Sequence, residues 1–194
     1  MLQKEVSKGE NYELNPEKNE KYNFIKSILS EKLKSQNLTF KLLYKATRDG
    51  DSEDEFHSKC DNINNTLVII KTKENNIIGG FTTTLWNCIN GYNYDDYAFL
   101  FSTCNNKIYN IKSNRVYATG CYKGSCLLFG IANDYLKELY LSNKFLSNYN
   151  SYTYNGGNEG TYFDKNDPPF ILNNGKRNFL VKECEIYQVI PVFN

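Results

Sequence analysis

Leu42-Leu43-Tyr44-Lys45-Ala46-Thr47-Arg48-Asp49-Gly50, then Phe56-His57-Ser58-Lys59-Cys60-Asp61, then Thr66-Leu67-Val68-Ile69-Ile70-Lys71: these three blocks decide how the chain is read. In physical terms they are an apolar strand, a charged turn, a short capped helix and a second apolar strand. From Phe40 to Ala46 the mixture of β-formers and apolar residues has the density of a strand covered on both faces. Arg48-Asp49-Gly50 interrupts it, because glycine reaches backbone angles closed to other residues. Ser52-Glu53-Asp54-Glu55 has the S-x-x-E spacing of a capping box, in which Ser52 accepts from the Glu55 amide and the Glu55 side chain reaches back. Asp51, Glu53, Asp54 and Glu55 complement the positive end of that helix, and Phe56 with Cys60 gives it one narrow apolar face.

The same blocks carry a resemblance. LLYKATRDG, FHSKCD, TLVIIK, IIGGFTT, the single tryptophan and YAFLFS, in that order, resemble the TLDc domain family, and Lys182-Glu183-Cys184-Glu185-Ile186-Tyr187-Gln188-Val189 is similar to its C-terminal strand. The resemblance spans about residues 24 to 190 and thins out between 142 and 176. It implies two packed antiparallel sheets with flanking helices, and no enzymatic mechanism. It further implies a role in oxidative-stress resistance and binding to the cytosolic sector of the vacuolar proton-pumping ATPase. The chain departs from the family where relatives carry G-x-x-F-G-G leading into D-L-Y-I. Here those places hold Gly124-Ser125-Cys126-Leu127-Leu128-Phe129-Gly130 and Glu138-Leu139-Tyr140-Leu141.

The 194 residues suit one domain plus a tail. A domain of about 150 residues buries roughly 68–70% of its unfolded surface, enough for a core without staples. With 23 basic against 22 acidic side chains the net charge is +1, which argues against a general electrostatic grip on nucleic acid. No apolar run is long enough to span a bilayer, and MLQKEVSKGENYEL lacks the apolar centre of a signal peptide. The expectation is therefore a cytoplasmic protein, monomeric as an isolated domain and recruited to organelle membranes only through a partner. In that compartment Cys60, Cys88, Cys104, Cys121, Cys126 and Cys184 are expected to be reduced thiols. The sequons at Asn37 and Asn64 then carry no weight.

Residues 1–22 are polar and read as a flexible tail; 23–194 form the domain. Phe24, Ile25, Ile28, Leu29 and Leu33 fall on one face of a helix over 24–36 that docks on it. Thr66–Thr72 and Ile77–Thr84 form a hairpin around Lys73-Glu74-Asn75-Asn76, with Gly79-Gly80 marking a bulge or close approach and Trp86 plugging the core edge. Ala98–Thr103 and Lys107–Ile111 form a second hairpin, and Val116–Thr119, Cys126–Phe129 and Glu138–Leu141 are weaker strands. The Asn-, Gly-, Tyr- and Pro-rich stretch 142–176 reads as a functional or disordered loop. In the last strand, Phe179 to Ile190, alternation puts Phe179, Val181, Glu183, Glu185, Tyr187 and Val189 on one face. Many short strands and turns make the fold class α+β, mainly β: a sandwich of two antiparallel sheets with flanking short helices.

Few residues invite chemistry. Cys60 and His57, three apart, are the local nucleophile–base candidate, the basis of a thiol-based, peroxide-reactive alternative. Cys60 lies on the apolar face, where burial raises a thiol pKa, so no catalytic residue is assigned. Glu183 and Glu185 are a carboxylate pair better suited to an acidic docking surface or to pairing with Arg48 and lysines. Asp49, Asp51 and Glu53 begin like a calcium loop, but Asp54 stands where glycine is needed and Cys60 where glutamate is needed, so no metal and no cofactor is expected. Gly156-Gly157 and its tyrosines lack interleaved basic residues, which leaves nucleic acid out. The partner-binding residues are Arg48, Asp49, Gly50, Glu183 and Glu185, on a non-catalytic interaction module. A structural component of a cytoskeletal or ciliary assembly, held through the N-terminal helix, is the remaining alternative.

Overall fold

The computed structural model describes residues 14–86, 91–112, 117–122, 124–131, 136–155 and 160–193; Cys88, Val116 and Gly156-Gly157 lie outside them. In chain order come α1 (Asn23–Leu33), β1 (Asn37–Lys45), α2 (Ala46–Asp49), α3 (Glu53–Cys60), β2 (Thr66–Thr72), β3 (Ile77–Thr82), β4 (Gly91–Asn93) and β5 (Phe99–Ser102). They are followed by β6 (Lys107–Asn110), β7 (Thr119–Cys121), β8 (Ser125–Ile131), β9 (Lys137–Ser142), β10 (Tyr152–Thr153) and β11 (Val181–Val192). One sheet runs β1-β11-β2-β3-β5-β6 and the other β10-β9-β8-β7-β4, with antiparallel pairing throughout. The mainly-β double-sheet expectation therefore holds, and the C-terminal strand lies between the first two strands of the chain.

The six-stranded sheet is the middle layer, and β2 shows why its sequence is apolar throughout. Val68 and Ile70 point to the inter-sheet core with Leu127, Phe129, Leu139 and Ile186, while Leu67 and Ile69 join Ile25 and Leu29 of α1 on the other side. The two ends of the domain meet in one core, since Leu43 packs against the cluster that holds Ile186. The β2–β3 turn uses Asn75 at φ 64°, as an asparagine turn allows. The glycines mark close approach: a Cβ on Gly79 would sit 2.0 Å from the Val68 carbonyl oxygen, and one on Gly80 2.8 Å from the Phe129 ring. Trp86 is buried and packs into the inter-sheet core. Its Nε1 donates to Thr66 Oγ1 (2.8 Å), and its ring meets Phe56 and Phe129 edge-on.

Two strands depart from simple alternation. β1 is an edge strand: Thr39 and Lys41 are exposed, while Leu38, Phe40 and Leu42 are half-covered on the α1 side, so only one face is covered there. A register shift between Leu42 and Tyr44 then sends Tyr44 into the inter-sheet core. In β11 a shift between Val181 and Glu183 reverses the parity. Phe179 and Val181 thus share the inter-sheet core with Cys184 and Ile186, while Tyr187 and Val189 lie under α1. One extra residue moves every later side chain to the opposite face, which corrects the single-face reading of this strand.

The five-stranded sheet has a different outer face. Cross-strand pairing aligns Tyr92, Gly120, Leu128, Tyr140 and Tyr152 in one row. Tyr140 stacks on Tyr152 (5.1 Å between centroids), and Lys137 lies over Tyr92 and Tyr122. The stretch 142–176, where described, is packed: it contributes β10, a 3-10 turn at Ile171–Asn173, and buried Phe145, Tyr162, Phe163 and Leu172. Glu138 of β9 organises it, because its buried carboxylate accepts backbone N–H bonds from Thr161, Tyr162 and Phe163. Burial pushes the Glu138 pKa up to about 8 although these amides pull it down. At the other end Leu14 and Tyr22 are buried beside α1, so packed structure begins within the segment read as tail. No helix among the described residues is long and apolar enough to cross a membrane.

Candidate functional site

The charged turn is built from both ends of the domain. α2 is a single turn that Gly50 closes, its N–H donating to the Ala46 carbonyl (3.0 Å) at φ 98°. A side chain at position 50 would strike Glu55, whose carboxylate occupies that space as half of the capping box. Ser52 N and Oγ donate to Glu55 Oε2 (3.1 and 2.7 Å) and lower its pKa. Glycine here is thus a requirement of both the angle and the neighbour. Tyr44, buried, donates its hydroxyl to the Gly50 carbonyl at 2.6 Å and fixes the turn from beneath.

Arg48 and Asp49 form a fork, Nε to Oδ1 at 2.8 Å and Nη2 to Oδ2 at 2.6 Å, and Asp49 Oδ2 also accepts from the Lys45 amide. The Arg48 hydrogen bonds hold the Asp49 carboxyl below its ordinary range. The Arg48 side chain is 52% exposed and that of Asp49 11%, so arginine is the group the turn displays. Glu183 and Glu185 reach the same place from β11, 136 residues further along the chain from Thr47 in the first case. Glu183 accepts from the Thr47 amide and hydroxyl and from the Cys184 amide. Glu185 pairs with Lys45 (2.8 Å) and accepts from the Tyr187 hydroxyl (2.6 Å).

All five sequence-selected residues therefore meet around one turn, in different roles. At 9% and 1% exposure Glu183 and Glu185 are not a displayed acidic docking surface; they are the anchors that lock the turn to the sheet. Downstream of the turn, anchoring passes to the other sheet's loops. Asp51 accepts from the Leu146 amide (2.8 Å), Glu53 accepts from the Gly124 amide (2.6 Å), and the Glu53 amide donates to Asn143 Oδ1 (3.0 Å). The three carboxylates that begin like a calcium loop thus each serve a separate protein donor. Among the described residues no cluster of three or more His, Cys, Asp or Glu could hold a metal ion.

The cysteine chemistry is arranged otherwise than expected. Cys60 is buried in the inter-sheet core, where burial raises its thiol pKa and disfavours the thiolate. His57 faces elsewhere: Nδ1 lies 2.6 Å from Asp61 Oδ1 and Nε2 3.1 Å from Cys121 Sγ. Cys121 is disulfide-bonded, which corrects the expectation of reduced thiols throughout; Cys60, Cys104, Cys126 and Cys184 are free. No local signal in the sequence joins positions 57 and 121, because the contact exists only once α3 lies over β7. An open groove of about 640 Å³ lined by Lys21, Lys71 and Lys182, among others, holds no nucleophile–base pair.

No curated protein matches the chain. The family model for the TLDc domain matches residues 17–190, nearly the whole chain, and includes every element of the turn and its anchors. With its two antiparallel sheets, short helices and this match, the chain belongs to the TLDc domain family.

Proposed function

We propose that the chain is a non-catalytic interaction and regulatory module that binds the cytosolic sector of the vacuolar proton-pumping ATPase, acts in oxidative-stress resistance, and is brought to organelle membranes by that partner. The observation that carries the reading is the turn itself. A half-exposed arginine is held on a turn whose backbone and side chains are tied to both sheets. A preorganised charged projection loses little freedom on binding, which is the property of a docking element. Arg48, Asp49 and Gly50 form the contact, and Glu183 and Glu185 hold it in place. The buried glutamates and Cys60 are consumed by structure, which favours a binding role over catalysis at these positions.

The test is recovery of partners from cytosol on immobilised protein, with subunits identified by mass spectrometry. Wild type is expected to recover pump subunits and Arg48→Glu to lose them while still melting cooperatively, the loss of the exposed Arg48–Asp49 fork costing about 1 kcal/mol. Recovery of no pump subunit by wild type, or equal recovery by both proteins, ends the proposal.

A further inference from the structure

We propose that the outer edge of β1 is a strand-addition site for an extended segment of a partner protein in which apolar and acidic residues alternate. β1 is nine residues long and ends the six-stranded sheet; among the described residues β11 is the only strand paired with it. In an antiparallel pair, successive residues turn their N–H and C=O groups alternately towards the neighbouring strand and away from it. The Phe40 amide is turned away, since it donates to a side chain, Glu17 Oε1, at 3.0 Å. Leu38 and Leu42 share its parity, so three outward-facing residues line the edge before the register shift that follows Leu42. Glu17 is exposed, and its carboxylate oxygen stands where the carbonyl of an added strand would accept. The opposite edge of the sheet offers no such row. There the four-residue β6 is tied down by the Lys107–Asp167 ion pair (2.7 Å), and Lys112 just beyond it donates its amide to the Thr161 carbonyl (3.0 Å).

The side chains select the occupant. Leu38, Phe40 and Leu42 lie on the α1 side and are half-covered, because no further strand continues their row. A cleft of about 270 Å³ opens there, with Leu38 and Phe40 along β1 and Lys26 and Ser30 on α1. An added strand puts every second side chain on that side, where apolar groups extend the row and complete its burial. The alternate side chains fall on the other side, level with exposed Thr39 and Lys41, where a carboxylate opposite Lys41 is favoured. A second copy of β1 is a worse occupant: two antiparallel copies bring both Lys41 side chains onto one short seam, and like charges there oppose pairing. Leu38 to Leu42 include no residue of the Arg48 turn, so the edge stands whatever that turn binds.

The test is fluorescence anisotropy of a fluorescein-labelled EVEVEVE peptide titrated with the full chain, with a KVKVKVK peptide as control. Wild type is expected to bind EVEVEVE saturably, with a Kd below about 1 mM, and KVKVKVK at least about tenfold more weakly. Lys41→Glu is expected to weaken EVEVEVE binding at least about fivefold. Phe40→Pro removes an outward N–H and leaves the β11 ladder its donors, as edge strands allow, and is expected to weaken binding at least about tenfold. Glu17→Ala frees that N–H and is expected to bind at least about threefold tighter. A control peptide or a cooperatively melting variant that misses its factor overturns the inference, and Lys41→Glu with Glu17→Ala decide alone if Phe40→Pro does not fold. Binding by wild type that does not saturate overturns it too. So does a wild-type dimer in sedimentation that Phe40→Pro abolishes, since the edge then belongs to a second copy.

Discussion

The two sheets cover their outer faces by different means. The six-stranded sheet is roofed by α1, whose Ile25 and Leu29 are fully buried against Leu67, Ile69 and Phe99. The five-stranded sheet is roofed by its own tyrosines, the row from Tyr92 to Tyr152, with Lys137 and Arg177 over their rings. A helix excludes water with aliphatic bulk. A tyrosine row excludes it partly: its rings are half-buried and gain ring–ring and cation–ring contacts of about 0.5–1.5 kcal/mol each. The first roof makes a sheet strongly apolar on both faces, and the second leaves a sheet whose outward positions look polar.

Both roofs cover one shared core, and the largest effect should come from damaging it. Phe129 lies against Gly80, Trp86 and Tyr162, so Phe129→Ala should cost about 3–5 kcal/mol in urea unfolding, with both sheets lost in a single transition. Separate transitions would mean that the comparison concerns two units and not two faces of one.

The roofs themselves come next. Leu29→Ala should cost about 2–4 kcal/mol and Tyr140→Ala about 1 kcal/mol, by the same measurement. Equal costs would show that the tyrosine row excludes water as fully as the helix does.

Glu138→Gln probes the loop that closes the five-stranded sheet. An amide presents donors where three backbone N–H groups already point, so a loss of about 1–3 kcal/mol is expected, with faster amide exchange at Thr161 to Phe163. Its pH signature has a definite sign. Burial raises the folded-state pKa to about 8 from 4.5, so the folded protein keeps a proton that the unfolded chain releases. Stability should therefore fall as pH rises through that interval, and the slope should be absent from Glu138→Gln. A slope that persists in the variant would assign it to another group.

How far each region could be read in advance follows the same division. The capping box at Ser52, the β2–β3 hairpin and the β5–β6 hairpin were visible because caps, asparagine turns and apolar runs act within a few residues. α1 was visible through its helical period, although it ends at Leu33 and the packed structure starts before it. β4 and β10 were missed: three and two residues long, they are strands only because longer neighbours pair with them. Of the candidate site, the turn and its glutamates could be picked out, but not their roles. That Glu183 and Glu185 are buried follows from β11 lying between β1 and β2 with both faces covered, a pairing with strands far away in the chain.

The amino-acid sequence by itself determined the family, the strand-and-turn order of the six-stranded sheet, the capped helix and the glycine at position 50, all through interactions between residues close in the chain. Only the tertiary structure decided that Glu138 gathers the 161–163 amides, that Glu183 and Glu185 anchor α2, and that His57 faces Cys121 and not Cys60. Those contacts join groups tens of residues apart or more, and folding alone chooses among the partners that composition leaves open.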